Sequence, residues 1–171
     1  MMINRPRRIT FNCVARAEHI DYELLLMLKE AGCWMISLGI ESGDEDLLAR
    51  HRQNADLSML SEKIHLIKKA GIRTKGLFMI GLPGETEEGI RKSMEYLFSN
   101  PIDELNVAKF TPFPGSPIYE KIHEMGEFNE NWELMDCMNF LFIPEGMTKE
   151  RLEELFKLFY RKHFMRPEIL L

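Results

Sequence analysis

Apolar residues recur along this chain in two alternating rhythms. Short runs dense in aliphatic and β-branched residues, at 9–15 (ITFNCVA), 34–40 (WMISLGI), 74–80 and 105–110, read as strands. Between them lie segments with the 3.6-residue period of an amphipathic helix. Residues 21–31 set Leu24, Leu25 and Leu28 on one face behind a capping Asp21. A short helical stretch at 44–50 precedes a longer one at 56–70, whose Leu57, Leu60, Ile64 and Ile67 fall in line. Thr86 caps a further helix carrying Ile90, Met94, Leu97 and Phe98. Thr148 caps the last, carrying Leu152, Leu155, Phe156 and Phe159, a stripe that reads as core packing. Residues 117–125 predict a short helix, and 126–147 predict irregular chain anchored by Trp132, Phe140 and Phe142.

Two of these units echo each other. Lys-Glu-Ala-Gly32 and Lys-Lys-Ala-Gly71 both end a helix in glycine after cations in its last turn. An apolar strand ending in glycine follows each, at Gly39 and Gly81, and then a glycine-containing turn with a glutamate, Glu41 or Glu85. Strand and helix alternating through short loops predict right-handed crossovers and a parallel sheet. The fold expected is α/β, a parallel sheet of about four strands with a helical C-terminal extension. Residues 1–116 would form the sheet with its helices, and 117–171 an extension packed on the same domain. Polar residues gather where such sheets place their ligands, at the C-terminal strand ends.

Length and composition narrow the class. The chain has 171 residues, a length suited to one domain with a real core. A 45% hydrophobic and 29% charged composition matches a soluble globular protein. No apolar run approaches the ~20 residues of a membrane span, and no signal peptide opens the chain, so the expected address is the cytoplasm. The net charge of −5 leaves no nucleic-acid footprint, and the basic Arg5–Arg8 cluster reads as a solvated terminus. Cys13, Cys33 and Cys137 include no Cys-x-x-Cys pair, and the five histidines form no i, i+4 pair, so spacing suggests no metal site.

Several strand-end residues carry candidate chemistry. Glu41, beside Ser42 and Gly43, could accept two hydroxyl hydrogen bonds from a ribose or pair with an ammonium; alternatively it caps the helix starting near Asp44. Arg16 could hold a carboxylate in a bidentate pair, or simply pair with Glu18 or Asp21. Gly81-Leu-Pro-Gly-Glu85 is glycine-rich but has neither the lysine nor the spacing of a P-loop, and reads as a tight turn before a helix. Thr-Pro-Phe-Pro-Gly-Ser-Pro117 is a stiff loop that cannot continue the sheet but can present backbone to a flat base. Cys13 and His19 are a conceivable nucleophile and base with no third orienting group.

Taken together, ITFNCVARAEHIDYELLLMLKEAGC, ISLGIESGDEDLL, IRTKGLFMIGLPGETEEGIRKSM, KFTPFPGSPIYEKI and the closing LFYRKHFMRPEILL resemble the C-terminal half of a radical S-adenosylmethionine (SAM) enzyme. The Tyr160…Arg166-Pro167 segment resembles the cobalamin-associated group most. The resemblance implies a partial barrel in which Glu41, with Ser42, contributes to SAM binding. It implies that Met79 and Gly81, at the end of their strand, line the adenine pocket together with backbone near Phe110 and Thr111, and that Arg16 has a weaker ligand role. The family's basic residue after the Glu-Ser-Gly helix falls at Arg52 or Gln53. The Gly-x-Ile-x-Gly-x-x-Glu pattern is one residue out of step, because Gly81 and Glu85 stand too far apart. The family also implies a four-iron four-sulfur cluster and cobalamin, but the Cys-x-x-x-Cys-x-x-Cys loop is absent, and the three cysteines cannot replace it by spacing. A truncated chain without turnover is therefore the first expectation. A non-catalytic nucleoside-binding module is the second. The third is a half-barrel that pairs with itself or with a separate cluster-bearing chain through its two open sheet edges.

Overall fold

A computed structural model describes residues 9–52 and 56–166; the Arg5–Arg8 cluster, Gln53 and Pro167 lie outside the described residues. Strands β1 (Phe11–Ala15), β2 (Cys33–Glu41), β3 (Arg73–Ile80) and β4 (Glu104–Lys109) form one parallel sheet in the order β1-β2-β3-β4. The connecting helices α1 (Tyr22–Ala31), α3 (Leu57–Lys69) and α4 (Glu87–Ser99) share one buried core with the sheet. The short α2 (Glu45–His51) sits between β2 and α3. The parallel α/β sheet expected from the alternating pattern is the one observed, and its four strands in sequential order match the partial (β/α) barrel that the resemblance implies.

The helices begin where hydrogen-bonding side chains permit. Asp21, Asp56, Thr86 and Thr148 each accept from the backbone N–H three residues on, closing the first turns of α1, α3, α4 and the final helix α5 (Lys149–Phe164). Gly32 ends α1 with φ of 105°, and a Cβ there would lie 2.2 Å from the Ile9 carbonyl oxygen. The α3 stripe of Leu57, Leu60, Ile64 and Ile67 is buried against Ile36, Leu38, Ile40 and Phe78 of the sheet. Two positions on the expected apolar faces, Leu24 and Phe98, instead stand exposed; Phe98 carries the Arg166 guanidinium over its ring.

The chain after β4 is less irregular than its sequence suggests. Two three-residue strands, β5 (Gly126–Phe128) and β6 (Phe142–Pro144), pair antiparallel within the 126–147 stretch. Phe140 and Phe142 are buried as expected, but Trp132 is 64% exposed and anchors nothing, because it lies on a single 3₁₀ turn that no element covers. α5 packs on α4 and β4, with Phe159 edge-on to Phe78 at 5.2 Å.

One of the two sheet edges expected to be open is closed. The outward Val107 N–H of β4 donates to the Tyr160 hydroxyl at 2.9 Å, and the Lys109 N–H donates to the Cys137 carbonyl at 2.9 Å. β1 differs: among the described residues nothing pairs with its outer edge, and Val14 is 74% exposed.

Candidate functional site at the C-terminal strand ends

Beyond the ends of β2, β3 and β4 the chain encloses a cleft of about 990 Å³. Its floor is Glu41 and Arg52, its apolar walls include Met79, Leu82 and Phe110, and Lys121 and Glu124 stand on the rim. That volume lies at the upper end of the ~300–1,000 Å³ typical of small-molecule sites.

Glu41 owes its place to backbone conformation. The β2–β3 register slips between Gly39 and Glu41, and Glu41 has φ of 66°, a left-handed value that costs a non-glycine residue of order 1 kcal/mol. Its side chain turns back over Gly39, where a Cβ would come within 2.7 Å of the carboxylate oxygen. Burial raises the Glu41 carboxyl above its ordinary value, and the nearby Arg52 charge partly offsets this. Glu41 is not a helix cap. That role belongs to Asp44, whose carboxylate accepts from Asp46 and Leu47 N–H.

The turn after Glu41 is held from behind by α4. Ser42 is fully buried, its hydroxyl 3.1 Å from that of Ser93, which also accepts the Gly43 N–H at 2.8 Å. Gly43 admits no side chain, since a Cβ would lie 2.7 Å from both the Lys92 carbonyl oxygen and Ser93 Cα. Lys92 reaches Asp44 at 3.0 Å, which with two backbone N–H donors holds the Asp44 carboxyl below its ordinary value against the effect of burial.

The next loop supplies the opposite wall. Glu85, 1% exposed, folds back so that one carboxyl oxygen accepts from Gly81 N–H at 2.5 Å and Leu82 N–H at 3.3 Å; its other oxygen has no partner. Burial pushes this carboxyl up to about 8 despite the two N–H donors. His51 Nε2 lies 2.8 Å from the Pro83 carbonyl, which can only accept, so that nitrogen carries the proton. Arg52 donates to the Gly39 carbonyl at 2.9 Å and to Glu18 at 3.2 Å, tying the end of β2 to the turn after β1.

The sequence candidates separate here. Glu41, Met79 and Phe110 line the cleft. Ser42, Gly81 and Thr111 stand behind it: Gly81 has its N–H committed to Glu85, and the buried Thr111 hydroxyl donates to the Lys109 carbonyl. Arg16 is 69% exposed with Glu18 as its 3.7 Å partner. Cys13 meets Cys33. Nothing in the local sequence marks Arg50, His51 and Lys121; only the helical docking of α2 and the turn after β4 brings them to the cleft. Among the described residues no group of three potential metal-ligating side chains converges, and Cys137 sits beside β4, at the opposite side of the sheet from Cys13.

Comparison with known proteins gives a family model, the Radical SAM superfamily, matching residues 1–97. An uncharacterized methyltransferase of Pyrococcus horikoshii is 24% identical over 164 residues, covering 95% of this chain and 36% of its own. The coproporphyrinogen III oxidase structure from Escherichia coli, a radical SAM enzyme, superposes with a TM-score of 0.67 at 14% identity, over 90% of this chain and 32% of that one. A radical SAM methyltransferase from Kitasatospora setae, solved with cobalamin and a [4Fe-4S] cluster, gives 0.57 at 21%, over 65% and 22%. At such identities the structural likenesses speak for the fold. The chain spans only between 24% and 36% of the length of the first curated relatives it matches.

Proposed function

The chain belongs to the radical SAM superfamily, and we propose that it furnishes the later-strand part of an S-adenosylmethionine pocket, without turnover of its own. The observation that carries this reading is Glu41: a strained, half-buried carboxylate at a strand end, facing a cleft that also offers apolar surface from Met79, Leu82 and Phe110. A carboxylate so placed accepts both hydroxyls of a ribose, and Met79 and Phe110 offer flat apolar contact to the attached base. Backbone at Gly81 and Thr111 sets the depth of that contact. Ser42 acts through the turn, and Arg16 supplies at most a rim contact to the carboxylate of the methionine part.

The family's iron–sulfur cluster does not fit the described residues, since its three thiolates must converge on one cubane face and no such group exists among them. When bound beside such a cluster, S-adenosylmethionine supplies reductive cleavage of its sulfonium bond; this chain's residues supply binding and orientation. Cobalamin is carried by the Kitasatospora relative's structure, and no residue described here is assigned to it.

Calorimetric titration with S-adenosylmethionine and with 5′-deoxyadenosine tests the reading. Both should bind, and Glu41→Ala should weaken both by roughly 10- to 100-fold, the loss of hydrogen bonds to a charged group. Absence of binding to either, or equal affinity in the variant, would overturn it. Methionine and 5′-deoxyadenosine formed by the iron-reconstituted chain would overturn the absence of turnover.

The open β1 edge favours a second reading, an assembly module completed by another copy or by a cluster-bearing chain. Sedimentation that remains monomeric at high concentration, alone and with such a chain, would remove it.

A further inference from the structure

Away from the cleft, the sheet brings two cysteines together that lie twenty residues apart. Cys33 opens β2 and is buried; Cys13 lies half-buried in β1, whose outer edge pairs with nothing among the described residues. Their sulfurs are 3.9 Å apart, and the Cys33 thiol is also within 3.4 Å of the Met35 carbonyl. A disulfide requires a sulfur separation of about 2.05 Å. Metal–thiolate bonds of about 2.3 Å, in contrast, hold two sulfurs ~3.8 Å apart at a tetrahedral angle and ~4.6 Å apart when linear. The observed separation lies near the tetrahedral value, so an ion held in line by two thiolates alone would part the sulfurs by about 0.7 Å.

The ligand count then selects the ion. Zinc in a structural site takes four ligands, and no third histidine, cysteine, aspartate or glutamate joins the pair among the described residues. Two thiolates alone satisfy a soft monovalent d¹⁰ ion. We propose that Cys13 and Cys33 form a two-thiolate site for an ion of the copper(I) class, tying the exposed strand β1 to β2. The step involves no redox change: each thiol releases one proton to solvent, two sulfur–metal bonds form, and the filled site carries one net negative charge. Cys137, beside β4, takes no part.

The test is an anaerobic titration of the reduced full chain with copper(I) against a chromogenic copper(I) chelator. One equivalent per chain should resist chelator concentrations that strip the Cys13→Ser/Cys33→Ala double variant, and Cys137→Ser should retain it. X-ray absorption on the unaltered, loaded chain should count two sulfur ligands, a readout that needs no variant to fold. Retention unchanged in the double variant, loss in Cys137→Ser, no retention by the unaltered chain, or half an equivalent shared between two chains would each overturn the proposal.

Discussion

Glu85 offers the sharpest quantitative test of the fold. Its carboxyl is buried under the turn it organises, accepting two backbone N–H bonds on one oxygen and none on the other. Burial outweighs those bonds and holds its pKa at about 8, against an ordinary value of 4.5. Below pH 4.5 folded and unfolded chains are both protonated here, and Glu85 contributes no pH dependence. Between 4.5 and about 8 the unfolded chain ionises while the folded chain keeps its proton, so stability falls as pH rises. Each pKa unit is worth ~1.4 kcal/mol, so two pH units inside this window should cost about 2–3 kcal/mol.

Glu85→Gln replaces the protonated acid by a neutral isostere whose carbonyl can accept the same two N–H bonds. The measurement is urea denaturation followed by far-ultraviolet circular dichroism at pH 5.5 and pH 7.5, for both proteins. Taking the difference between them at each pH cancels every other titrating group. Glutamine should gain on glutamate by about 2–3 kcal/mol from the lower to the higher pH. A difference that stays flat or changes in the opposite direction would mean that Glu85 is ionised in the folded chain, and that its two N–H bonds outweigh burial.

Three further outcomes follow from other parts of the structure. Gly43→Ala should cost about 2–3 kcal/mol by thermal or urea unfolding, since the added Cβ meets backbone atoms of α4 at 2.7 Å and neither can rotate away. Tyr160→Phe should cost about 1 kcal/mol and unpair the Val107 N–H, so sedimentation should show more self-association than in the unaltered chain. His163 is buried and neutral, with its pKa lowered to about 4 by burial and by Arg166, whose guanidinium lies 2.9 Å from Nδ1. Its stabilising effect is complete above pH 6.5 and is lost as pH falls towards 4, so thermal melts over that range should decline more steeply than those of His163→Gln.

What the sequence makes legible follows the length over which a signal repeats. The α3 stripe spans three turns, and all four of its apolar positions are buried. Asp21, Thr86 and Thr148 could be read as caps because capping needs only a side-chain oxygen and the next few residues. β5 and β6 are three residues each, too short for alternation to show. Trp132 misleads because aromatic character predicts burial only where a neighbouring element exists to cover it. Within the cleft, Glu41 announces itself by following a buried strand. Arg50 and His51 do not, since their reach depends on how α2 docks against the loop after β3. The burial of Glu85 was equally hidden: a glutamate in a Gly-Pro-Gly turn gives no local sign that its side chain folds inward.

The two glutamates of the repeated unit show how one local pattern yields two physical roles. Each follows a strand that ends near glycine and precedes a capped helix. In the first unit the strand slips register, Glu41 takes the left-handed conformation, and its carboxylate faces the cleft with no hydrogen-bonding partner among the described residues. In the second, Gly81 takes the positive φ instead, and Glu85 turns under the loop to accept its backbone N–H groups. The second arrangement supports the first. The loop shaped by Glu85 presents the Pro83 carbonyl to His51, while α4, which starts just after it, presents Ser93 and Lys92 to Ser42, Gly43 and Asp44. The strain at Glu41 persists because the turn behind it is held from two sides. The cleft-facing acid therefore depends on a buried acid 44 positions away, which makes Glu85 a positioning residue for whatever Glu41 binds. A ligand that loses affinity in Glu41→Ala should lose a smaller part of it in Glu85→Ala and keep most of it in Glu85→Gln, where the turn retains its acceptor. Equal losses in the two Glu85 variants would tie the effect to charge and sever the proposed support.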